Sequence, residues 1–286
     1  MKISGKLVAE ELREELKTRI NKLLEKGIVP KIAIITLGAE GSWESYVKQK
    51  LKVAEELGIT AVLINLKDAD EEKLLKTVAE IDSDPKYHGL IVQRPMPASI
   101  SREKVVNAIS AEKDTDGFRP DSRCGVPVWL AAKKLMEVSL KETGLDEKRN
   151  ELKFVVIGKG ETAGGPTAKG LIKMGIVPTV IDSKTENPEE ILKKADVIIT
   201  CVGRSGVIKP EQIKPGVILI GVGTHNEEGP PGPINGHVEA GRLRGDYVDS
   251  EIENIAGSYT PTPGGIGPVN LTYLFTNLID ATEANS

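Results

Sequence analysis

Apolar residues in this chain change period repeatedly, from the three-to-four spacing of a helix to the short compact runs of a strand, and that alternation restricts the fold more than any other feature. Leu7, Val8, Leu12, Leu16, Ile20 and Leu23 fall on one helical face, and the strand-like run 32–37 follows. Further β-rich runs occupy 60–66, 89–93, 154–157, 179–181, 197–201 and 217–222, most of them separated by helix-length amphipathic segments. Such a chain builds parallel sheets covered by helices, which is the α/β class. At 286 residues it is long enough for two domains with separate cores. The polar segment 143–153 interrupts the periodicity before the second series of strands and reads as the inter-domain crossing or its near neighbour. The Gly- and Pro-rich stretch 226–244 is too long for a simple turn and reads as a functional or mobile loop.

Composition excludes several classes of partner. A formal net charge of −4 gives no broad basic surface for a phosphate polymer, so nucleic acid is not expected. No segment approaches the roughly 18–20 apolar residues of a membrane span. Lys2, Lys6 and Glu10 stand where a signal peptide needs an apolar core, so a cytoplasmic location is expected. Cys124 and Cys201 lie far apart with no thiol or histidine at metal-ligand spacing, and neither a disulfide nor a metal is expected. His88, His225 and His237 are equally scattered, and none is assigned to catalysis.

The run Phe154-Val155-Val156-Ile157 leads into Gly158-Lys159-Gly160-Glu161-Thr162-Ala163-Gly164-Gly165-Pro166 and then a helical pattern. Glycines permit a tight turn and close approach of backbone, and a helix N-terminus offers N–H groups and positive dipole to a pyrophosphate. The spacing is one residue longer than the common dinucleotide fingerprint, and a glycine run also serves plain turns. Asp182, at the end of the next strand and about 20 residues on, is where a carboxylate accepts hydrogen bonds from an adenosine ribose. That carboxylate favours NAD over NADP, whereas Lys159, Ser183 and Lys184 offer donors to a 2′-phosphate, so the choice stays open. The turn Val202-Gly203-Arg204 after the third strand of this half, and Gly221-Val222-Gly223 after the fourth, sit at carboxyl ends of strands where a bound ligand lies, or else form structural turns.

The first half holds a lysine in an unusual position. At about 100° per residue on 42–57, Val53, Tyr46, Leu57, Lys50, Ala54, Val47 and Leu51 fall in that order along one face, while Lys48, Lys52, Glu55 and Glu56 project from the other. A lysine among apolar neighbours has its ammonium disfavoured by desolvation, which suits it to proton transfer. The alternative is a packed stem with the amine reaching water. Tyr46 either offers its ring to a flat substrate or packs as a core aromatic. Gln93 ends an apolar run before Arg94-Pro95-Met96-Pro97, and Asp116 lies in Lys113-Asp114-Thr115-Asp116-Gly117-Phe118. An amide there can bond a lysine or substrate, and a carboxylate can grip the donor edge of a heterocycle; turn chemistry and capping are the other readings.

Tyr46-Val47-Lys48-Gln49-Lys50-Leu51-Lys52, Glu55-Glu56-Leu57-Gly58-Ile59, Ile91-Val92-Gln93-Arg94-Pro95-Met96-Pro97, Lys113 to Phe118, and Thr260-Pro261-Thr262-Pro263-Gly264-Gly265-Ile266-Gly267-Pro268 share their order and spacing with one family. The chain resembles, over nearly its whole length, the bifunctional methylenetetrahydrofolate dehydrogenase/cyclohydrolases. The resemblance implies an N-terminal α/β catalytic domain at 1–125 with 268–286, the C-terminal helix returning to it, and a Rossmann-like NAD(P)-binding domain at 126–267. It puts the catalytic lysine on Lys50, its glutamine partner on Gln93, the stacking tyrosine on Tyr46 and the pterin-binding aspartate on Asp116. Pro95, Pro263, Gly264 and Gly265 join these on the substrate. Gly158, Lys159, Gly160, Glu161, Thr162, Gly164, Gly165, Pro166, Asp182, Ser183, Val202, Gly203, Gly223, Thr224 and Gly267 fall to the cofactor, NADP by resemblance. A homodimer is also implied.

The resemblance implies that 5,10-methylenetetrahydrofolate binds between the domains, gives a hydride to the nicotinamide, and is hydrolysed as the methenyl cation by Lys50 steered by Gln93. The chain departs from the family in having Lys159-Gly160 for Arg-Ser, a short segment 121–127, His88 for an aspartate, no Pro-Cys-Thr-Pro element, and Leu219-Ile220-Gly221-Val222-Gly223 for Val-Ile-Asp-Val-Gly. Two other readings are a dehydrogenase of another small acid, sharing only the second domain, and a non-catalytic folate or nucleotide sensor.

Overall fold

The computed structural model describes residues 1–38, 44–227 and 242–285. His237, the Ser42 start of the lysine-bearing helix and most of the 226–244 stretch lie outside them. In chain order the elements are α1 (Gly5–Glu25), β1 (Lys31–Leu37), α2 (Glu44–Glu56), β2 (Thr60–Leu66), α3 (Glu71–Ser83), β3 (Gly89–Val92), α4 (Arg102–Ala108) and α5 (Pro127–Glu142). Then come β4 (Phe154–Ile157), α6 (Gly164–Lys173), β5 (Thr179–Ile181), α7 (Pro188–Leu192), β6 (Val197–Thr200), β7 (Ile218–Gly221), β8 (Thr224–Glu227), β9 (Arg242–Gly245), α8 (Asp249–Ile252), β10 (Ser258–Tyr259) and α9 (Ile266–Ala284). The chain divides into two compact units, Glu10–Pro127 with Leu271–Ser286, and Met1–Ala9 with Val128–Asn270. No helix among the described residues is long and apolar enough to cross a membrane.

The first unit is built on a parallel sheet of order β2-β1-β3. Strand residues alternate between faces, and the alternation sorts the core in two. Ile32, Ile34 and Ile91 pack with Leu16, Ile20 and Leu23 of α1, Val47, Val53 and Ala54 of α2, and Leu271, Leu274 and Phe275 of α9. Ala33, Ile35, Leu90 and Val92 face Leu74, Val78 and Ile81 of α3 and Val105 of α4. Asp70 starts α3 by accepting the Lys73 N–H at 2.9 Å, and Ser101 caps α4 in the same way from Lys104.

In the second unit five parallel strands run in the order β10-β7-β6-β4-β5, and β8 and β9 form a separate antiparallel ribbon. Gly170 on α6 has no room for a side chain, since a Cβ there would lie 2.0 Å from the Trp129 ring of α5. Residues 1–9, expected with the first unit, belong here because the N-terminal backbone extends the sheet: Ile3 donates to the Tyr259 carbonyl at 2.8 Å and Tyr259 to that of Met1 at 2.9 Å.

Three expectations from the sequence need correction. The passage between units falls at the start of α5, and segment 143–153 lies inside the second unit, where Asp146–Glu151 makes a 3₁₀ turn before β4. Polar residues there reflect surface exposure rather than a linker. The ends of the 226–244 stretch are strand, pairing Asn226 with Leu243 and Glu227 with Arg242. The expected strand ends at Gln93, Cys201 and Val222 each fall one residue past the strand; their N–H groups still bond the sheet, to Ile35, Ile157 and Thr200 at 2.8 Å, but the next ladder bond is missing.

Asn277 of α9 fixes the loop after Asp114, its amide donating to the carbonyls of Thr115 and Gly125, both at 2.8 Å. Asn277 is 2% exposed, so no water replaces it. Removing a donor to a buried acceptor costs about 1–3 kcal/mol. Asn277→Ala is expected to lower stability by at least that amount, read from the midpoint of urea unfolding.

Candidate active site and nucleotide cradle

Alternation places Gln93 on the same side of β3 as Ile91, which is the side covered by α2. Lys50, one turn after Tyr46 on α2, therefore meets it, and the Lys50 Nζ donates to Gln93 Oε1 at 2.8 Å. The other end of the glutamine amide is held by the Arg94 carbonyl at 2.6 Å, so its oxygen has one orientation available. Lys50 is half-buried, and burial pushes its pKa below the usual lysine range while the Asp116 carboxylate opposes the shift. For Asp116, burial pushes the pKa up; Lys50 and Arg94 oppose that and Asp114 adds to it. The ammonium and the carboxylate thus each moderate the cost of the other's withdrawal from water.

Asp116 accepts no hydrogen bond from the described residues. It lines a small recess with Arg94, Met96, Val105 and Phe118, in which the Arg94 guanidinium lies 3.9 Å from the Phe118 ring centroid. Its neighbour Asp114 is different. Asp114 is 3% exposed and accepts the N–H groups of Gly117 at 3.0 Å and Arg119 at 2.8 Å, closing the loop that carries Asp116. The short 121–127 segment is tied to that loop by Ser122 Oγ, which donates to the Asp114 carbonyl at 3.2 Å.

Tyr46 is 48% exposed, which removes the reading of it as a core aromatic. Pro95 is exposed and follows a cis peptide bond. Pro263, Gly264, Gly265 and Gly267 belong to the second unit, so they are not gathered with Lys50 in one compact body. Gly264 has φ +100°, a conformation suited to glycine, and its carbonyl accepts the Lys6 N–H at 3.2 Å. A Cβ on Gly5 would lie 1.8 Å from the Gly265 carbonyl oxygen, so this loop and the start of α1 are pressed together.

The glycine loop lies between the carboxyl ends of β4 and β6, where the strand order reverses and α/β sheets bind ligands. A Cβ on Gly164 would fall 2.0 Å from the Gly158 carbonyl oxygen, and one on Gly158 2.7 Å from that of Cys201, whereas Gly160 has open space around it. Ala163 caps α6 with no side-chain acceptor; the Gly165 N–H turns back to the Gly160 carbonyl at 2.9 Å and Pro166 has none, so the Gly164 N–H is the first-turn donor left for a ligand. These features fit a pyrophosphate at Gly158–Pro166. Glu161 and Thr162 are exposed in the same loop. Asp182 ends β5, where Lys159 pairs with it at 2.5 Å and the Lys184 N–H donates at 2.9 Å; the lysine, with that N–H, holds the carboxyl down to about 2. Ser183 beside it is exposed. Val202 and Gly203, then Gly223 and Thr224, follow β6 and β7, and the two turns touch: a Cβ on Gly203 would lie 3.2 Å from the Thr224 carbonyl oxygen.

Three groups here carry little signal in the sequence. Asp114 has only a turn signal, an Asp two residues before another and three before a glycine. Arg94 stands far in sequence from its aromatic partner, Phe118. Asp246 accepts three N–H bonds from the turn after β6, and only its place between Gly245 and an aromatic residue hints at it. Two departures from the family pattern have local explanations. His88 still provides an acceptor, its Nδ1 taking the Lys31 N–H at 3.1 Å, and burial first and Lys113 second keep its pKa low. Gly221 leaves space for the Tyr247 hydroxyl, 3.0 Å from where a Cβ would be, and that hydroxyl donates to the Thr260 carbonyl at 2.7 Å.

Residues 3–116 match the family model described as tetrahydrofolate dehydrogenase/cyclohydrolase, catalytic domain, and residues 133–286 match that for the NAD(P)-binding domain. The chain is 36% identical over 291 residues to the bifunctional protein FolD of Staphylococcus epidermidis, covering 98% of this chain and 96% of the relative. The fold is similar to the bifunctional FolD dehydrogenase/cyclohydrolase of Campylobacter jejuni, with a TM-score of 0.88, 28% identity, and 100% and 99% of the two chains covered. It is also similar to the Trypanosoma brucei FolD complexed with NADP cofactor and an inhibitor, with a TM-score of 0.87, 27% identity, and 99% and 97% covered.

The mutual field of Lys50 and Asp116 has a measurable sign. Asp116 raises the Lys50 pKa, so Asp116→Asn is expected to move the Lys50 titration to still lower pH, further from the other lysines. ¹⁵N NMR of the lysine Nζ resonances follows this directly; a shift to higher pH, or none, contradicts the coupling.

Proposed function

The chain belongs to the tetrahydrofolate dehydrogenase/cyclohydrolase family, and from that premise we propose that it oxidises 5,10-methylenetetrahydrofolate to the 5,10-methenyl cation with NAD(P) and hydrolyses the cation to 10-formyltetrahydrofolate. The observation that carries the assignment of residues is the Lys50 Nζ to Gln93 Oε1 hydrogen bond of 2.8 Å on a lysine withdrawn from water. The bound nicotinamide supplies the hydride acceptor. The protein's own contribution to that step is placement, which replaces an encounter between free molecules. Asp116, with oxygens free of protein donors, grips the N–H edge of the pterin. The exposed ring of Tyr46 packs on the aminobenzoate, and Pro95, with Pro263, Gly264 and Gly265, completes the contacts to substrate.

Hydrolysis needs a proton taken from the incoming water as its oxygen bonds to the methenyl carbon, and a proton delivered to the ring nitrogen as the carbon–nitrogen bond breaks. Lys50 does both, first as neutral amine and then as ammonium, and the remaining hydroxyl proton is lost to solvent as the formyl carbonyl forms. Its lowered pKa makes the amine available nearer neutrality, and Gln93 holds it in line. The rate of hydrolysis therefore rises with pH through the lowered Lys50 pKa, below the usual value of about 10.4 for a free lysine.

Gly158, Lys159, Gly160, Glu161, Thr162, Gly164, Gly165 and Pro166 hold the pyrophosphate, Asp182 and Ser183 the adenosine ribose, and Val202, Gly203, Gly223, Thr224 and Gly267 the nicotinamide side. The Lys159–Asp182 pair sets the choice of nucleotide: the carboxylate accepts a free 2′-hydroxyl and repels a 2′-phosphate, while the ammonium attracts the phosphate. A homodimer is part of the same proposal, supported by the exposure of Val177 and Val180 just before and on the edge strand β5.

Lys50→Met is expected to lower cyclohydrolase turnover by at least about 100-fold, the scale of a lost general acid–base, while folate and nucleotide still bind. Unchanged decay of methenyltetrahydrofolate absorbance in that variant refutes the role. In steady-state assays with the two nucleotides side by side, Asp182→Ser is expected to raise the NADP to NAD ratio of kcat/KM, and Lys159→Ala to lower it.

A further inference from the structure

Asp246 lies immediately after β9 and is 0% exposed, yet none of the roles above uses it. Its carboxylate accepts three successive backbone N–H groups from the turn after β6: Val202 at 3.0 Å, Gly203 at 2.7 Å and Arg204 at 3.1 Å. Successive N–H groups converging on one point form a concavity that binds anions. Here the chain supplies the anion itself. The turn after β7 closes on the same carboxylate, since a Cβ on Gly223 would lie 2.2 Å from Asp246 Oδ2 and 2.3 Å from the Gly203 nitrogen. The Asp246 carbonyl accepts the N–H groups of Val207 at 2.9 Å and Ile208 at 3.2 Å, which ties down the far end of the loop.

We propose that Asp246 is a positioning residue for the dinucleotide, fixing the turns 202–204 and 223–224 and deciding which half of the ligand they accept. The inference rests on the second unit being the nucleotide domain. With its N–H groups committed to a buried carboxylate, the first turn has no backbone donors left for a phosphate, and the exposed Arg204 side chain is its one remaining donor group. The carbonyls of Val202, Gly203 and Arg204 accept nothing from the described residues. The backbone of the turn is therefore an acceptor surface, suited to the hydroxyls of a ribose and the N–H₂ of a carboxamide, and the backbone site for the pyrophosphate is left to the α6 end of the glycine loop. The exposed Val202 side chain adds an apolar contact for a flat ring.

The test is Asp246→Asn, which replaces one acceptor oxygen by a donor aimed at N–H groups and releases the turn. Calorimetric titration with NAD⁺ and with NADP⁺ is expected to give a Kd raised by at least about tenfold, with the kinetic loss in KM rather than in kcat. Cyclohydrolase turnover, which needs no nucleotide, reports that the variant is folded. Unchanged Kd and KM with a lower unfolding midpoint mean that Asp246 only supports the fold, and overturn the proposal. A second measurement needs no variant: in the nucleotide-free enzyme the amides of residues 202–204 are expected to exchange slowly with deuterium, and exchange at the rate of an open loop overturns it. A parent enzyme that binds neither nucleotide defeats the nucleotide reading itself, a result distinct from both.

Discussion

Bringing a lysine amine out of water beside a glutamine carbonyl is unfavourable for the charged form and nearly neutral for the uncharged one, and the chemistry proposed for the first unit depends on that difference. The arrangement is maintained from two directions. The apolar stripe of α2 that contains Val47, Val53 and Ala54 is buried on the sheet, which sets where the Lys50 stem leaves the helix. The Arg94 carbonyl holds the glutamine nitrogen, which points the oxygen at the amine. Asp116 then opposes that shift, because its field favours the ammonium, the form that the proposed proton relay passes through. Lys52, on the outer face of the same helix, is exposed and has none of these constraints.

Both units apply one topological device. In each, a central strand (β1 or β4) has its next strand on one side and the following strand on the other, so two connections leave the sheet in opposite directions at its carboxyl edge. That divergence opens room for a ligand. In the first unit the edge presents Gln93, with α2 arriving over it; in the second it presents the glycine loop and the turn after β6. Side chains do the work in one case and backbone in the other. The difference matches the two tasks proposed for them, since proton transfer needs a titratable atom and a pyrophosphate needs N–H groups brought close.

The α/β class, the strand runs and the place of Lys50 on α2 were legible in the sequence because periodicity carries them. Lys50 was visible as one charged residue inside an apolar stripe, and Asp182 through its distance from the glycine loop. Geometry that joins distant segments was not legible. Nothing in residues 1–9 announces that Ile3 will pair with Tyr259, since such a bond uses backbone atoms that every residue has. Segment 143–153 reads as a crossing or its near neighbour because a polar, aperiodic stretch on a domain surface and one between domains have the same composition. Asp246 escaped for a related reason: a buried carboxylate that serves only backbone N–H groups is indistinguishable, as a letter in a sequence, from one in solvent. Tyr46 was ambiguous because a ring at the end of an apolar stripe fits a core and a binding surface equally well, and only its exposure distinguished them.

Helix α9 has a consequence for how the molecule is made. Its later turns place Leu271, Leu274, Phe275 and Leu278 in the core beneath β1, although more than a hundred residues of the other unit are translated between that strand and this helix. While the ribosome is still working, one face of the β2-β1-β3 sheet has its covering incomplete, and the nascent chain exposes apolar surface of the kind that chaperones hold. The catalytic half, first to be synthesised, is thus the last to be finished, and a nonsense codon anywhere upstream of α9 costs the lysine site as surely as a change within it.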